Sequence, residues 1–581
     1  MNKTTVCPLD CYDACRIMLD ETGSIKGDKT HPVTQGHLCS HLNHFDDFER
    51  LMSPTYKGVS ITMDEACEKL YEFLTQKNPA QTLFYRGSGN LGMMQRSIDH
   101  FFANFGSFGT HGSLCDGAGS AGIVEGRGVN YPLSPVMIEE ADVVIVWGRN
   151  IHSTHAHILP FIKNKKIIVI DPIRTQIADT ADLYIPIKPH CDMHLALLLS
   201  RFAVIEGMHD IQFLEKFASE YQEFYELTQT MRIKVTLESI EMTLGQIGAI
   251  LEIIRGQKVV VLVGAGVQKY RNGSEVLRAI DGFAALMGWF GKSGCGVSFL
   301  GDSSAGVTSP FSKISKTVAK PTVDFSKYTT VFIQGGNPLA QMPNSSKVIR
   351  EFEAVENRIY FGLYDNETSR SCDLVIPAKT FLEKKDIRAS YGDFTLQTMS
   401  QLRESSIGIS EYELAYRLCE SFDFAIPTQE ECLEMFHKQV EIVEGVEMKK
   451  IRPDIPYKKG FETDDGEFLF MDEVDLGHSS EDGLFLITPK HPRALNSQFH
   501  RASGIFLHPE CGFSEGQTVK VSSKAGETTF VVRFDERLRY DCALIYAGTP
   551  SVNFLTPTLL SYEGNSAAYQ EYKIKVEKYD N

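Results

Sequence analysis

The sequence predicts an α/β chain of several domains: doubly wound parallel sheets in the middle, a small cysteine-bearing segment before them and a β-barrel-like domain after them. Three observations carry this reading. Short runs rich in β-branched residues recur through the middle and end in Gly, Asn or Asp. A helical stretch follows each run, and beyond about residue 450 the pattern changes to short alternating strands.

The N-terminal segment holds Cys7, Cys11 and Cys15 in C-P-L-D-C-Y-D-A-C, then Cys39 in G-H-L-C-S after a gap of 23 residues. Thiolates at three- or four-residue intervals, with a fourth returned by a loop, suit a cluster of iron and sulfide, because each iron takes one soft anionic ligand. A [4Fe-4S] cluster is the leading reading; a structural zinc site and a pair of disulfides are the alternatives. Zinc ribbons favour two C-x2-C knuckles, and this spacing has none. Disulfides need an oxidising compartment, yet M-N-K-T-T-V-C carries neither an apolar h-region nor a twin-arginine signal, so a reducing cytoplasm is expected.

At 581 residues, 43% hydrophobic and 23% charged, the chain has room for about three or four ordinary globular domains. A formal net charge of -17 offers phosphate backbones and anionic membranes no basic surface, which argues against nucleic acid as a partner. No apolar run reaches the ~18 residues of a membrane span; Val259 to Val263 reads as a buried strand.

The middle runs are T-L-F-Y-R-G-S-G-N, V-V-I-V-W-G-R-N, K-I-I-V-I-D-P, V-V-V-L-V-G-A-G, T-V-F-I-Q-G-G-N-P and R-I-Y-F-G-L-Y-D. Ligands bind such sheets at the carboxyl ends of the strands, where these Gly, Asn and Asp residues fall. A Gly-rich turn lets the backbone approach a phosphate, and the helix N-terminus behind it favours negative charge. One such turn is more often a tight connection alone; five ask for a large phosphorylated ligand. The dinucleotide test nevertheless fails. G-A-G-V-Q-K lacks the third glycine, G-S-G-N-L-G at 87–92 has no acidic strand end about 20 residues on, and there is no Walker A sequence. Asp171 and Asp365 end strands far from those glycines, as if different sheets held two nucleotide-like groups. After the charged, Gly-rich stretch Lys458 to Asp482, G-L-F-L-I-T, T-V-K-V-S-S, E-T-T-F-V-V-R-F and A-L-I-Y-A-G alternate like barrel strands, and E-Y-K-I-K-V-E reads as the last.

The cysteine quartet, W-G-R-N, I-D-P-I-R-T, A-D-L-Y-I-P-I-K-P-H-C-D, G-A-G-V-Q, Q-G-G-N-P, C-D-L-V-I-P-A-K-T-F-L-E and T-P-K-H-P-R-A-L-N-S resemble, in order and across essentially the whole chain, the molybdopterin oxidoreductases of the dimethyl sulfoxide reductase and formate dehydrogenase type. The resemblance implies a bis(molybdopterin guanine dinucleotide) cofactor, bis-MGD, with molybdenum or tungsten, and one [4Fe-4S] cluster near one pterin. It also implies the division of the chain: residues 1–55 for the cluster, 56–120 plus 345–450 for one dinucleotide, 121–344 for the other, and 480–581 as the C-terminal barrel.

By the same resemblance Cys115, in G-S-L-C-D-G-A-G-S-A-G, is the protein ligand to the metal. A thiolate suits a soft, high-valent metal. Cys67, Cys295, Cys419, Cys432, Cys511 and Cys542 show no such grouping and read as small apolar residues. Gly148 and Asn150 would meet phosphate or pterin, Asp171, Arg174 and Thr175 the guanine nucleotide, and Asp192 a second recognition loop. Gly264, Gly266 and Gln268, then Gly336, Asn337 and Pro338, lie at further strand ends. Asp365 would accept from the other guanine, while Asn496, Ser497 and Asn553 would close over the pterins. For each the plainer alternative is a cap or turn residue without a ligand.

Two departures bear on the chemistry. Relatives often place Lys or Arg two residues after the fourth cysteine, between cluster and pterin; His41 stands there, with a charge that depends on pH. Formate dehydrogenases place His directly after the metal-binding residue; Asp116 stands there, as a proton carrier or as a cap of the following turn. His152, His155 and His157 have a spacing that invites a zinc site, but hydrogen bonding beside the pterin is the expected role. The expected activity is a two-electron oxidoreductase in which electrons leave singly through the cluster to a ferredoxin-like or flavoprotein partner. The alternatives are a non-redox hydratase or hydroxyltransferase of the same fold, with the metal as Lewis acid, and an electron-transfer subunit that has lost the metal cofactor.

Overall fold

A computed structural model describes residues 3–218, 221–476 and 482–579. Residues 477–481, inside the stretch expected to be charged and Gly-rich, lie outside the described residues. Each of the six middle runs forms a strand buried along most or all of its length, as both-face coverage requires: Thr82–Arg86, Val143–Trp147, Lys166–Ile170, Val259–Val263, Thr330–Gln334 and Asn357–Gly362.

They divide between two sheets. The smaller has five parallel strands in the order Leu183–Ile185, Lys166–Ile170, Val143–Trp147, Val259–Val263, Gly296–Ser298. The chain runs outward in one direction from Val143–Trp147, then returns to start again beside it at Val259–Val263. This is a doubly wound order, and its switch point lies between those two strands. The larger sheet has eight strands: Lys316–Ala319, Phe108–His111, Thr82–Arg86, Thr330–Gln334, Asn357–Gly362, Leu374–Pro377, then the antiparallel edge Thr55–Tyr56 and Val59–Ser60. Its switch point falls between Thr82–Arg86 and Thr330–Gln334, which pair in parallel along their whole length.

This pairing corrects the expected division at residue 344. Thr330–Gln334 bonds Thr82–Arg86 on one side and Asn357–Gly362 on the other, and Lys316–Ala319 bonds Phe108–His111. The return to the larger sheet therefore comes between 298 and 316. The helix Gly117–Arg127 likewise packs on the smaller sheet's layer: a Cβ at Gly122 would lie 2.1 Å from the Ser274 carbonyl oxygen, and the Arg127 guanidinium is paired, fully buried, with Asp281. A run of β-branched residues states that a strand is buried, not which neighbours bury it.

The N-terminal segment forms a three-stranded antiparallel sheet, Thr5–Val6, Arg16–Leu19 and Ile25–Gly27. Val6, Ile17, Leu42 and Phe45 pack there against Phe381, Leu382, Met399 and Leu495, so this small unit shares its core with both neighbours. The C-terminal strands close into a six-stranded barrel in the order Leu484–Ile487, Cys542–Leu544, Ile505–Leu507, Glu527–Phe534, Thr518–Ser522, Lys573–Lys578. Inward Val519, Val521, Val532 and Ile574 fill it, and E-Y-K-I-K-V-E supplies the closing strand. Among the described residues no helix is long and apolar enough to cross a membrane.

Candidate functional site

Both switch points open on one cavity of about 1380 Å³, roofed by the cysteine segment and by the barrel loops 487–496 and 544–553. At the smaller sheet, Gly148 and Gly264 end the two central strands. Gly148 has φ +60, and a Cβ on Gly264 would stand 1.9 Å from the Gly148 carbonyl oxygen, so the turns touch backbone to backbone. The larger sheet repeats this: a Cβ on Gly87 would stand 2.4 Å from the Gly335 carbonyl oxygen. Around the first switch point, Arg149 Nη1, Asn150 Oδ1, His152 Nδ1 and Thr175 Oγ1 are buried without a hydrogen-bond partner in the protein. Buried polar atoms seldom stay unpaired, and this mixed set of donors and acceptors, carried by cavity-lining residues, fits a polar, phosphorylated ligand.

The four N-terminal thiols line the same cavity. All 13 cysteines are free, so the disulfide alternative is not formed. Burial pushes each thiol of the quartet up, Cys7 to about 12 with the Cys39 charge adding. Among the described residues no three His, Cys, Asp or Glu side chains close into a set for a single ion, as a tetrahedral zinc would need.

Cys115 precedes the helix Gly117–Arg127 and is fixed through its backbone. Its N–H donates to Ser113 Oγ at 2.9 Å, while Lys269 donates to its carbonyl oxygen at 2.7 Å and Gln268 donates to the same oxygen. Burial raises the thiol's pKa and the Lys269 ammonium opposes that rise. Asp116 sits at the N-cap position yet makes no side-chain cap; its carboxylate accepts from Ser113 Oγ at 2.7 Å. The cap reading of Asp116 is therefore replaced by a bond that closes the Cys115 loop.

Of the expected site residues, Cys7, Cys11, Cys15, Cys39, His41, Cys115, Asp116, Gly148, Asn150, Asp171, Arg174, Thr175, Asp192, Gly264, Gly266, Gly336, Asn496 and Asn553 line this cavity. A second cavity of about 320 Å³, lined also by Gly336 and Asn496, holds Asn337, Asp365 and Ser497. Gln268 and Pro338 line neither. Gln268 is buried with its amide engaged by Gly119 N–H and the Cys115 carbonyl, and Pro338 opens the helix Pro338–Gln341. Asn337 is also well occupied: it donates to Glu367 at 2.7 Å and Ser497 at 3.1 Å and accepts from Thr368, tying the strand end to the barrel loop. Asp365 is paired with Arg370 at 2.7 Å and bonded by Ser369.

Carboxyl groups at the smaller sheet are unusual. Burial pushes Asp171 up to about 7 and Asp192 to about 6; the Trp147 indole donates to Asp192 at 2.7 Å. Among the described residues the three histidines form no group that could hold a metal ion. His157 pairs with Asp13 at 2.8 Å and meets the His37 carbonyl oxygen at 3.0 Å, and His155 lies against Tyr12. Sequence reasoning missed Asp10, Asp13, Lys269 and Lys490. Asp10 accepts from Asn496 at 3.2 Å and faces the Lys490 ammonium at 3.5 Å. Their one signal was position: Asp10 and Asp13 flank Cys11, and Lys490 stands inside T-P-K-H-P.

A family model described as molybdopterin oxidoreductase matches residues 54–406. The probable oxidoreductase YyaE of Bacillus subtilis strain 168 is 28% identical over 497 residues, covering 77% of this chain and 73% of that protein. The F420-dependent formate dehydrogenase 1 subunit alpha of Methanococcus maripaludis is 22% identical, with 99% of each chain covered. Among solved structures, acetylene hydratase from Pelobacter acetylenicus superposes with a TM-score of 0.80 at 17% identity, over 99% of this chain and 100% of that one, a likeness of fold.

Proposed function

This chain belongs to the molybdopterin oxidoreductase family, and we propose that it is a molybdenum or tungsten enzyme holding a bis-MGD cofactor and one [4Fe-4S] cluster, acting on a small substrate by two-electron chemistry. The observation that carries the reading is the convergence of two glycine-closed switch points, the cysteine quartet and Cys115 on one cavity. In this reading the enzyme works in the cytoplasm and passes electrons to a ferredoxin-like or flavoprotein partner.

The residues divide the work. Cys7, Cys11, Cys15 and Cys39 hold the cluster, and because burial raises their thiol pKa values, binding iron as thiolates releases protons. Cys115 is the side-chain ligand to the metal, presented by the bonds of Ser113, Gln268 and Lys269. Arg149, Asn150, His152 and Thr175 supply the unpaired atoms for one dinucleotide. The strand-end loop with Asp365, Asn496 and Ser497 lines the pocket for the other. When bound, the metal accepts or delivers the electron pair at the substrate. Asp116 is the carboxylate nearest Cys115 in sequence and its bond to Ser113 aims it, which suits a proton carrier.

The test is elemental analysis of anaerobically purified protein for iron, molybdenum, tungsten and zinc. About four irons and one molybdenum or tungsten per chain are expected, with the cluster bleached by substrate. Iron without either metal, from cells able to make the cofactor, would instead indicate an electron-transfer subunit, and a cluster that stays oxidised during turnover would indicate the hydratase class.

A further inference from the structure

Three adjacent strands of the larger sheet end beside the Cys115 loop. Lys316–Ala319, Phe108–His111 and Thr82–Arg86 lie side by side in that order and run parallel, with Ala319 opposite His111 and Leu83 opposite Phe108. The middle strand runs on through Gly112 into the loop that carries Cys115, and Lys320 directly follows the outer strand. The Lys320 side chain spans the end of the middle strand: its Nζ donates to the carbonyl oxygen of Arg86, on the far strand, at 3.0 Å and stands 5.3 Å from the centre of the Tyr85 ring. The ammonium is thereby held over the turn that leads to the candidate metal ligand, and Lys320, Tyr85, Arg86 and Cys115 line one cavity.

An ammonium has three donors, and this one spends a single donor, on a backbone carbonyl. The other cations on the cavity wall are engaged elsewhere. Arg86 faces Asp99 at 3.3 Å and Lys490 faces Asp10 at 3.5 Å, Lys269 donates to the carbonyls of Leu114 and Cys115, and Arg149, Arg174 and Arg537 lie beside the smaller sheet. Removal from water and the Arg86 charge lower the Lys320 pKa to about 8, so it is charged at neutral pH with no carboxylate bonded to it among the described residues.

We infer that Lys320 is a substrate-binding residue: its ammonium receives a small oxyanion or carboxylate on the larger sheet's side of Cys115 and makes the site select anionic substrates over neutral ones. The inference rests on the proposed function and names the substrate class of that same site. Two free donors match two oxygens of one anion, and hydrogen bonds assisted by charge are the strong ones, which supplies the discrimination. The position agrees with the rule for such sheets, which take their ligands at the carboxyl ends of the strands. A phosphate of the cofactor is the other anion that an ammonium here could hold, and the test separates the two.

The test is isothermal titration calorimetry on the oxidised holoenzyme at constant ionic strength, with nitrate, sulfate and acetate as anionic probes and dimethyl sulfoxide as the neutral one. Wild type is expected to bind at least one of the anions. Lys320→Met should bind it about ten-fold or more weakly, and Lys320→Arg, which keeps the charge, within about three-fold of wild type. Molybdenum or tungsten, iron and guanine nucleotide contents should match wild type in both variants, and the response to dimethyl sulfoxide should not change. Wild-type holoenzyme that binds none of the anions, anion binding unchanged in Lys320→Met, or an equal loss in Lys320→Arg overturns the inference and leaves the proposed function standing. Loss of guanine nucleotide from Lys320→Met also overturns it, by assigning the ammonium to a cofactor phosphate. Wild-type protein without molybdenum or tungsten overturns both. Should Lys320→Met fail to fold, Lys320→Gln takes its place with the same expected loss.

Discussion

Lys269 reaches from the end of one sheet to the loop that carries the candidate metal ligand: its ammonium donates to the carbonyl oxygens of Cys115 at 2.7 Å and Leu114 at 3.0 Å. The thiol is thereby positioned by the turn after Val259–Val263 and not by its own helix alone. Removing a group that orients a ligand costs about 10–100-fold in metal affinity. Lys269→Met is expected to retain less molybdenum or tungsten by roughly that factor, with iron content unchanged. Cys115→Ala is expected to lose the metal more completely. Plasma mass spectrometry after gel filtration measures both.

Arg127 and Asp281 form an ion pair in which neither side chain is exposed. Arg127 lies at the end of the helix that Cys115 leads into, and its guanidinium also donates to the Val297 carbonyl and packs on Phe290 and Tyr457. Removing one partner strands the other's charge, at about 3–5 kcal/mol. Asp281→Asn should lower the unfolding midpoint steeply, whereas replacing both residues by apolar ones of similar volume should recover much of the loss. Thermal scans of the three proteins decide this.

Gly264→Ala puts a methyl 1.9 Å from the Gly148 carbonyl oxygen. The neighbouring atoms are backbone, so the turns must separate, at about 1–3 kcal/mol for overpacking. The separation would open the smaller sheet's switch point and leave the larger one intact. The expected outcome is loss of about half the bound guanine nucleotide on acid release, with the iron content kept.

Asp171 and Asp192 have folded pKa values of about 7 and about 6, both above the ordinary 3.8. The folded chain then holds protons that the unfolded chain has already released, so their contribution favours the fold below about pH 4 and is lost as pH rises towards 7. Protein freed of cofactor should melt at a lower temperature at pH 8 than at pH 5. Asp171→Asn should shrink that difference by a few degrees, since each kcal/mol is worth about 2–4 °C in a domain of this size. A difference that is the same in the variant would remove Asp171 as its source.

Every run read as a middle strand is a strand, because a parallel strand covered on both faces must be apolar throughout and shows it. The barrel was equally legible: Thr518–Ser522 alternates in burial as its sequence alternates in polarity. Sheet membership was not legible, since Thr330–Gln334 carries no mark of the partners it bonds. At the site, glycines and cysteines stood out because their chemistry restricts where they occur. Asp10, Lys269 and Lys490 did not, because a charged residue in a loop looks the same whether it faces water or another domain's thiols. Gln268 misled in the opposite way: its motif position suggested a ligand, and its amide instead holds the Cys115 loop.

The larger sheet is built from two stretches of chain, 55–111 and 316–377, while every strand of the smaller one lies between 143 and 298. During synthesis the smaller sheet has all its strands before Thr330–Gln334 leaves the ribosome, at roughly 5–20 residues per second. Thr82–Arg86 therefore waits roughly 12–50 s beside a nearly finished neighbour before its central partner arrives. Its exposed edge through that interval makes the order of manufacture, as much as the finished packing, a condition on which the chain's yield depends.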